Sequence, residues 1–157
     1  MCFLLYVGTT APLPLRKWEK DASGPSVESL TERDSPIKQH FGKPTVQYVG
    51  STSRCGCDYP HATFQVGGWP EINYKAVEKD DIEIARDQIH HENCEALISL
   101  LRSSGEEMIE LYGVWDGDFS EPPEVLENIS IESLRANEFC FKERGFYRVQ
   151  LKQPSGT

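Results

Sequence analysis

Prolines divide this chain into stretches that can be regular and stretches that cannot. Five of its ten prolines lie in Thr9–Pro44, among many Ser, Thr and charged residues. Because proline fixes φ and lacks a backbone N–H, this stretch is predicted to hold no continuous helix or strand ladder. A second stretch, Ser51–Lys75, is interrupted by Cys55-Gly56-Cys57 and by Gly67-Gly68-Trp69-Pro70. The sequence thus predicts two long irregular loops, the kind of segment that commonly carries function.

Between these stretches lie short β patterns. Runs rich in branched and aromatic residues predict strands, at Cys2–Val7, Thr45–Gly50, Met108–Trp115, Phe139–Lys142 and Phe146–Leu151. Met108–Trp115 is apolar on both faces, which predicts a central strand. The last two runs flank Arg144-Gly145, which predicts a hairpin.

One long helical pattern follows the second stretch. Apolar residues from Ile82 to Leu100 recur at helical spacing, with Asp80 as a cap and Gly105 as a stop signal. Asn93 falls within the apolar stripe and His90 beside it, so we expect both side chains to hold an irregular loop against the helix. Short helices are predicted at Ser26–Arg33 and Ser130–Ala136.

These patterns predict an α+β fold. We expect a mostly antiparallel sheet of about five strands, covered on one face by the long helix, with one or two short helices and long loops. The 157 residues fit a single domain spanning 1–157, with residues 153–157 as a frayed tail.

The charge and the hydropathy of the chain indicate which classes of binding partner are disfavoured. Sixteen basic against 25 acidic residues give a formal charge of −9, which disfavours nucleic acid and anionic membranes. The sequence has neither an apolar run of the roughly 20 residues that span a membrane nor a signal-peptide pattern. We therefore expect a cytoplasmic protein without a membrane partner, and free thiols at its five scattered cysteines.

The Cys55-Gly56-Cys57 sequence is the strongest candidate for chemistry. Sulfur and imidazole are ligands that zinc prefers, and His61 follows closely. Cys94, or His90 one helical turn away, offers a fourth ligand. Zinc sites usually space paired cysteines by two to four residues, whereas here the gap is one. Zinc is thus a possible cofactor, with Cys55, Cys57, His61 and Cys94 as possible ligands.

Two other interpretations of the same turn stay open. Arg54 beside the cysteines favours thiolate and so indicates thiol redox chemistry, although the usual redox motif has two intervening residues and opens a helix. The simplest interpretation is structural, with small side chains packed in a tight corner.

Two short motifs resemble the signatures of the GIY-YIG nucleases. Tyr48-Val49-Gly50 followed by Arg54 resembles the second signature, and Leu5-Tyr6-Val7 resembles the first. The resemblance implies a catalytic role for Arg54 and a metal-binding glutamate on a later helix, at Glu83, Glu92 or Glu95. It covers about a dozen residues, and an acidic chain is not typical of a DNA-cutting surface.

The leading hypothesis from sequence is a non-enzymatic domain that binds a protein or small molecule through its two irregular loops. Arg54, Tyr59 and Trp69 are the predicted ligand-binding residues, because large side chains in loops can line a concave site. A zinc-binding or thiol-redox protein is the alternative, and a divergent GIY-YIG-like nuclease the weaker one. The sequence does not decide whether the chain is an enzyme.

Overall fold

In a computed structural model of the chain, residues 2–21, 24–62, 81–135 and 139–152 are described. One α-helix, α1, spans Asp81–Ser103, and short 3₁₀ helices span Ser35–His40 and Ile131–Arg135. The strands are β1 Phe3–Thr9, β2 Ser26–Ser29, β3 Thr45–Gly50, β4 His61–Ala62, β5 Met108–Trp115, β6 Val125–Ser130, β7 Phe141–Lys142 and β8 Gly145–Gln150.

In the described part of the chain, six strands form one mixed sheet in the order β2-β3-β1-β5-β8-β6. Neighbours are antiparallel except β6 and β8, which are parallel. The register places Tyr6 of β1 between Tyr48 of β3 and Tyr112 of β5. A small second sheet pairs β4 with β7 in parallel.

Alternating strand residues build two buried clusters. Leu5 and Val7 of β1 belong to one cluster, which also contains Leu97, Ile98 and Leu101 of α1. The residues between them on the strands point the other way, as strand geometry requires. Tyr6, Tyr112 and Phe146 are among these strand residues. Together with Ile37 and Phe119, which lie outside the strands, they form the second cluster. Each fully buried large apolar side chain contributes roughly 1.5–3 kcal/mol to folding.

The α+β class, the mostly antiparallel sheet and the central position of Met108–Trp115 are confirmed. The strand predicted at Thr45–Gly50 has the predicted bounds. That α1 covers one sheet face along its length stays a prediction. Among the described residues, no helix combines the length and hydropathy that crossing a membrane requires.

The helix predicted at Ser26–Arg33 is wrong. Ser26–Ser29 is a strand that pairs with β3, and Val27 is fully buried. A β bridge adds Arg16 to the outer side of Val27. Tertiary pairing with the free edge of β3 outweighs the weak local helix preference.

The first predicted loop is therefore partly built into the sheet. Besides β2, it contributes the buried Leu13, whose backbone N–H and C=O bind the Gln47 side chain at 2.9 and 3.0 Å. The description of Thr9–Pro44 as one long irregular loop is corrected accordingly.

The predicted hairpin around Arg144-Gly145 is also wrong in its pairing. The chain does turn there, with Arg144 at a φ of 51°. However, β8 pairs with β5 and β6, so both its edges are occupied. Phe141–Lys142 pairs instead with β4.

Candidate functional site

The segment Ser51–Tyr59, which follows β3, is a compact series of turns, here named the Cys turn. The Ser51 amide donates to the Cys55 carbonyl at 2.8 Å, and the Arg54 amide donates to the Ser51 carbonyl at 2.9 Å. The Ser51 hydroxyl also binds the Cys55 carbonyl and accepts from the Asp58 amide at 3.3 Å. These bonds fix the backbone that carries Cys55.

The Cys turn lies directly against the beginning of β1. The Gly56 amide donates to the Phe3 carbonyl at 2.6 Å. A Cβ atom on Gly56 would lie 2.8 Å from that same carbonyl oxygen, so the close approach requires glycine. Cys2, the residue before Phe3, is held by its own carbonyl, which accepts from the Asp116 amide at 2.8 Å.

This contact brings three thiols together. The Sγ atoms of Cys2, Cys55 and Cys57 all lie within 4.8 Å of one another, and all three residues are half-buried. Among the described residues, they form the one cluster of three or more Cys, His, Asp or Glu side chains close enough to hold a metal ion.

The three thiols differ in acidity. Burial acts to raise the pKa of Cys55, but hydrogen bonds from Cys57, Ser53 and Cys2 outweigh it, so the pKa falls below its usual value. The Ser53 hydroxyl lies 3.5 Å from the Cys55 sulfur. Burial raises the pKa of Cys57 to about 12. A hydrogen bond to Cys55, with burial adding to it, raises the pKa of Cys2. Cys55 is therefore the sulfur of the three that most readily carries charge.

The zinc ligands predicted from sequence are corrected in part. Cys55 and Cys57 belong to the cluster, whereas Cys94 and His61 do not. Cys94 is buried in α1, and burial raises its pKa to about 12. His61 stacks on the Phe3 ring with centroids 4.9 Å apart, and its Nδ1 donates to the Tyr59 carbonyl at 2.8 Å.

Cys2 is the member of the cluster that the sequence did not predict. It lies more than fifty residues before Cys55 in the chain, and its apolar neighbourhood predicts a buried thiol. No local spacing signals the contact, because it depends on which strand lies beside the Cys turn. The strand pattern at Cys2–Val7 located the residue at the start of a buried strand and no more.

Oxygen and nitrogen groups anchor the Cys turn to the rest of the protein. The Asn93 side chain of α1 accepts from the Thr52 amide at 3.0 Å and donates to the Thr52 hydroxyl at 3.2 Å. The Tyr59 hydroxyl donates to the Gly50 carbonyl at 3.2 Å. The prediction that Asn93 holds an irregular loop on the helix is confirmed.

The predicted ligand-binding residues lie in different environments. Arg54 is exposed, has a φ of 78°, and stands over the Trp18 ring at 5.9 Å from its centroid. Tyr59 is fully buried and packs against Phe141, so it lies in the interior rather than on a binding surface. Trp69 lies outside the described residues.

The two motifs that resemble the nuclease signatures lie on neighbouring antiparallel strands, with Tyr6 opposite Tyr48. Their hydroxyls are engaged, since Tyr6 donates to Asp34 at 3.0 Å and Tyr48 donates to the Arg54 carbonyl. Arg54 lies within the Cys turn and not at the start of a helix.

A shallow groove of about 690 Å³ lies elsewhere, between the first irregular stretch and α1. Pro14, Leu15, Val27 and Leu100 are among its lining residues, and Leu15 is 65% exposed. The groove is mainly apolar, in contrast to the sulfur-rich surface of the Cys turn.

Comparison with known proteins adds no relative. No family model matches the chain, and no significant match was found among curated proteins or solved structures.

Proposed function

We propose that this chain binds a thiophilic metal ion, with zinc as the first candidate, through the sulfurs of Cys2, Cys55 and Cys57. The observation that carries the proposal is the mutual approach of three thiols within 4.8 Å from two separate segments. Two sulfurs on one tetrahedral zinc ion, each bonded at about 2.3 Å, lie roughly 3.8 Å apart. Small side-chain rotations are therefore enough to close the three sulfurs around an ion.

The acidity of the cluster supports the same proposal. A metal ion binds thiolate, not thiol, and the lowered pKa of Cys55 makes it the first of the three thiols to give up its proton. Hydrogen bonds to that sulfur come from Cys57 and Cys2, the two further ligands. A metal ion that displaces the thiol protons of Cys2 and Cys57 therefore takes the place of the hydrogen bonds that these thiols make to the Cys55 sulfur.

The number of ligands bears on the kind of site. Structural zinc sites have four protein ligands, while sites with three keep a position for water or substrate. Within the described residues, three sulfurs and no fourth group converge. A site made of these three sulfurs alone is of the kind that keeps a position for water or a small ligand.

Binding of a protein or small-molecule partner, the leading hypothesis from sequence, stays a prediction. The groove beside Leu15 is the place where such a partner would contact the first irregular stretch. The nuclease alternative also stays a prediction, and DNA nicking that Arg54→Ala abolishes is its test.

The metal proposal is tested by titrating reduced, chelator-treated protein with zinc, and with cobalt for its thiolate absorption. We expect one equivalent to bind to the wild type. Cys55→Ser and Cys57→Ser should each weaken binding by more than the roughly 10–100-fold that loss of an outer-shell partner costs. Cys140→Ser is the matched control, since Cys140 is also half-buried but lies outside the cluster. Unchanged affinity in both cluster variants would refute the proposal.

A further inference from the structure

The same three sulfurs differ in how freely each can reach its neighbours. Cys57 packs against the main buried cluster. Cys2 lies one residue outside β1, and the one backbone hydrogen bond described for it is made by its carbonyl. Its sulfur lies within 4.8 Å of the Cys55 sulfur.

A bond between Cys55 and Cys57 would close a small ring across Gly56. The Gly56 amide is fixed at 2.6 Å to the Phe3 carbonyl, and there is no space for the peptide to shift towards β1. Disulfide geometry is narrow, and forcing it into such a ring stores strain. Cys2 and Cys55 come from separate segments, so a bond between them closes no such small ring, and their sulfurs already lie within 4.8 Å of each other.

We propose that Cys2 and Cys55 are a covalent modification site at which hydrogen peroxide forms a reversible disulfide. In the first step the Cys55 thiolate attacks one peroxide oxygen, the O–O bond breaks, and a sulfenic acid and hydroxide form. In the second step the Cys2 sulfur, its proton taken by that hydroxide, attacks the Cys55 sulfur. The S–S bond forms, the S–O bond breaks, and hydroxide leaves to become water with a proton from solvent.

The electrons balance over the two steps. Each cysteine sulfur loses one electron, and the two peroxide oxygens gain two and leave as water. A dithiol reductant reverses the reaction by thiol–disulfide exchange.

The disulfide has a consequence for the metal site, which rests on the proposed function. A sulfur in a disulfide is no longer a thiolate ligand. Oxidation therefore leaves Cys57 as the remaining thiol of the cluster, and zinc is released. Peroxide and metal ion compete for the same pair of sulfurs.

The test treats chelated, reduced protein with hydrogen peroxide, alkylates the remaining thiols and maps the linked peptides by mass spectrometry. We expect a Cys2–Cys55 link in the wild type and in Cys57→Ser, no link in Cys2→Ser, and full reversal by dithiothreitol. Cys94→Ser and Cys140→Ser are the controls and should behave as the wild type does.

A link between Cys55 and Cys57, a link to Cys94 or Cys140, or no disulfide at all would overturn this inference. Zinc titration of the untreated reduced protein is read separately. Zinc binding without a Cys2–Cys55 link refutes the modification site and leaves the metal site standing. A Cys2–Cys55 link in a protein that never binds zinc supports the modification site and refutes the metal proposal.

Discussion

The two ends of β1 hold loops in different ways. At its carboxyl end, two glutamates bind loop backbone, an arrangement here named the carboxylate anchor. Glu110, 4% exposed on β5, accepts from the Gly42 and Lys43 amides at 2.9 and 2.7 Å. Glu106 accepts from the Thr10 amide at 2.8 Å. Both carboxylates at this end are therefore engaged in fixing the loops.

At the amino end the Cys turn is fixed mainly by groups other than its thiols. Ser51, Asn93 and Tyr59 supply oxygen and nitrogen partners to its backbone, and Gly56 binds Phe3. Sulfur forms only weak hydrogen bonds, so the thiols add little to this framework. The comparison teaches that three clustered cysteines are not needed to hold the turn, and their convergence therefore calls for a chemical explanation.

Among the variants considered, Gly56→Ala should lower the free energy of unfolding the most, because it disturbs the contact between the Cys turn and β1. The new Cβ would lie 2.8 Å from the Phe3 carbonyl oxygen, a backbone atom that cannot move away without shifting β1. We expect the free energy of unfolding to fall by about 3 kcal/mol, the upper end of the usual cost of overpacking. Urea denaturation measures it. Gly117→Ala, at a glycine with open space around its Cβ position, shows the cost of a glycine replacement without a clash, although its own positive φ of 106° adds strain. An equal or smaller loss for Gly56→Ala would contradict the close contact.

Glu110→Gln tests the carboxylate anchor alone. The neutral amide keeps the volume but weakens the two hydrogen bonds to Gly42 and Lys43. We expect a loss of about 2 kcal/mol in unfolding free energy, in the range for hydrogen bonds to charged groups. Zinc affinity should stay that of the wild type, because the anchor lies at the other end of β1. A fall in zinc affinity matching that of the cysteine variants would show that the two ends are not independent.

Asn93→Ala removes the link between α1 and the Cys turn. The Thr52 amide loses its partner and the Thr52 hydroxyl keeps only its bond to Asp58, so unfolding free energy should drop by about 1 kcal/mol. Because the turn is then less well positioned, zinc affinity should also fall several-fold, and calorimetric titration measures it. Affinity equal to that of the wild type would mean that the thiols converge without this anchor.

Replacement of Glu106 is expected to cause the smallest loss in unfolding free energy, and this loss should depend on pH. Burial acts to raise its pKa, but hydrogen bonds from the Thr10 and Ala11 amides and from Lys43 outweigh it and lower the pKa. A carboxyl with a lowered folded-state pKa stabilises the fold above the ordinary value of about 4.3, and this is lost as pH falls through the lowered pKa. Glu106→Gln should therefore cost less than about 1 kcal/mol at pH 7 and less still at pH 3. A stability difference between the wild type and Glu106→Gln that grows as the pH falls would contradict the lowered pKa of Glu106.

The sequence predicted the elements that local patterns encode. The apolar runs at Thr45–Gly50 and Met108–Trp115 and the helical stripe before Gly105 are local signals, and the structure has all three elements. The sequence did not predict the elements whose structure depends on which strand lies beside them. Ser26–Ser29 became a strand because β3 offered an edge, and Phe141–Lys142 paired with β4 because β8 was occupied on both sides.

The candidate site likewise contains residues that local sequence predicted and one residue that tertiary structure brings in. Cys55 and Cys57 are separated by one residue and were found from the sequence. The anchoring role of Asn93 followed from a polar residue in an apolar stripe. Cys2 enters through the contact of Phe3 with Gly56, which depends on tertiary structure. Sequence spacing instead favoured Cys94 and His61, which the fold directs into other contacts.

The unfolding free energy of a Cys2→Ser, Cys55→Ser, Cys57→Ser variant, measured with and without zinc, tests the central claim most directly. Without zinc, the reduced variant should match the reduced wild type within about 1 kcal/mol, since serine replaces half-buried thiols that do not hold the turn. Zinc at a hundred times its Kd should stabilise the wild type by about 2.7 kcal/mol and the variant not at all. A variant that unfolds without zinc, or equal stabilisation of both proteins by zinc, would contradict the account.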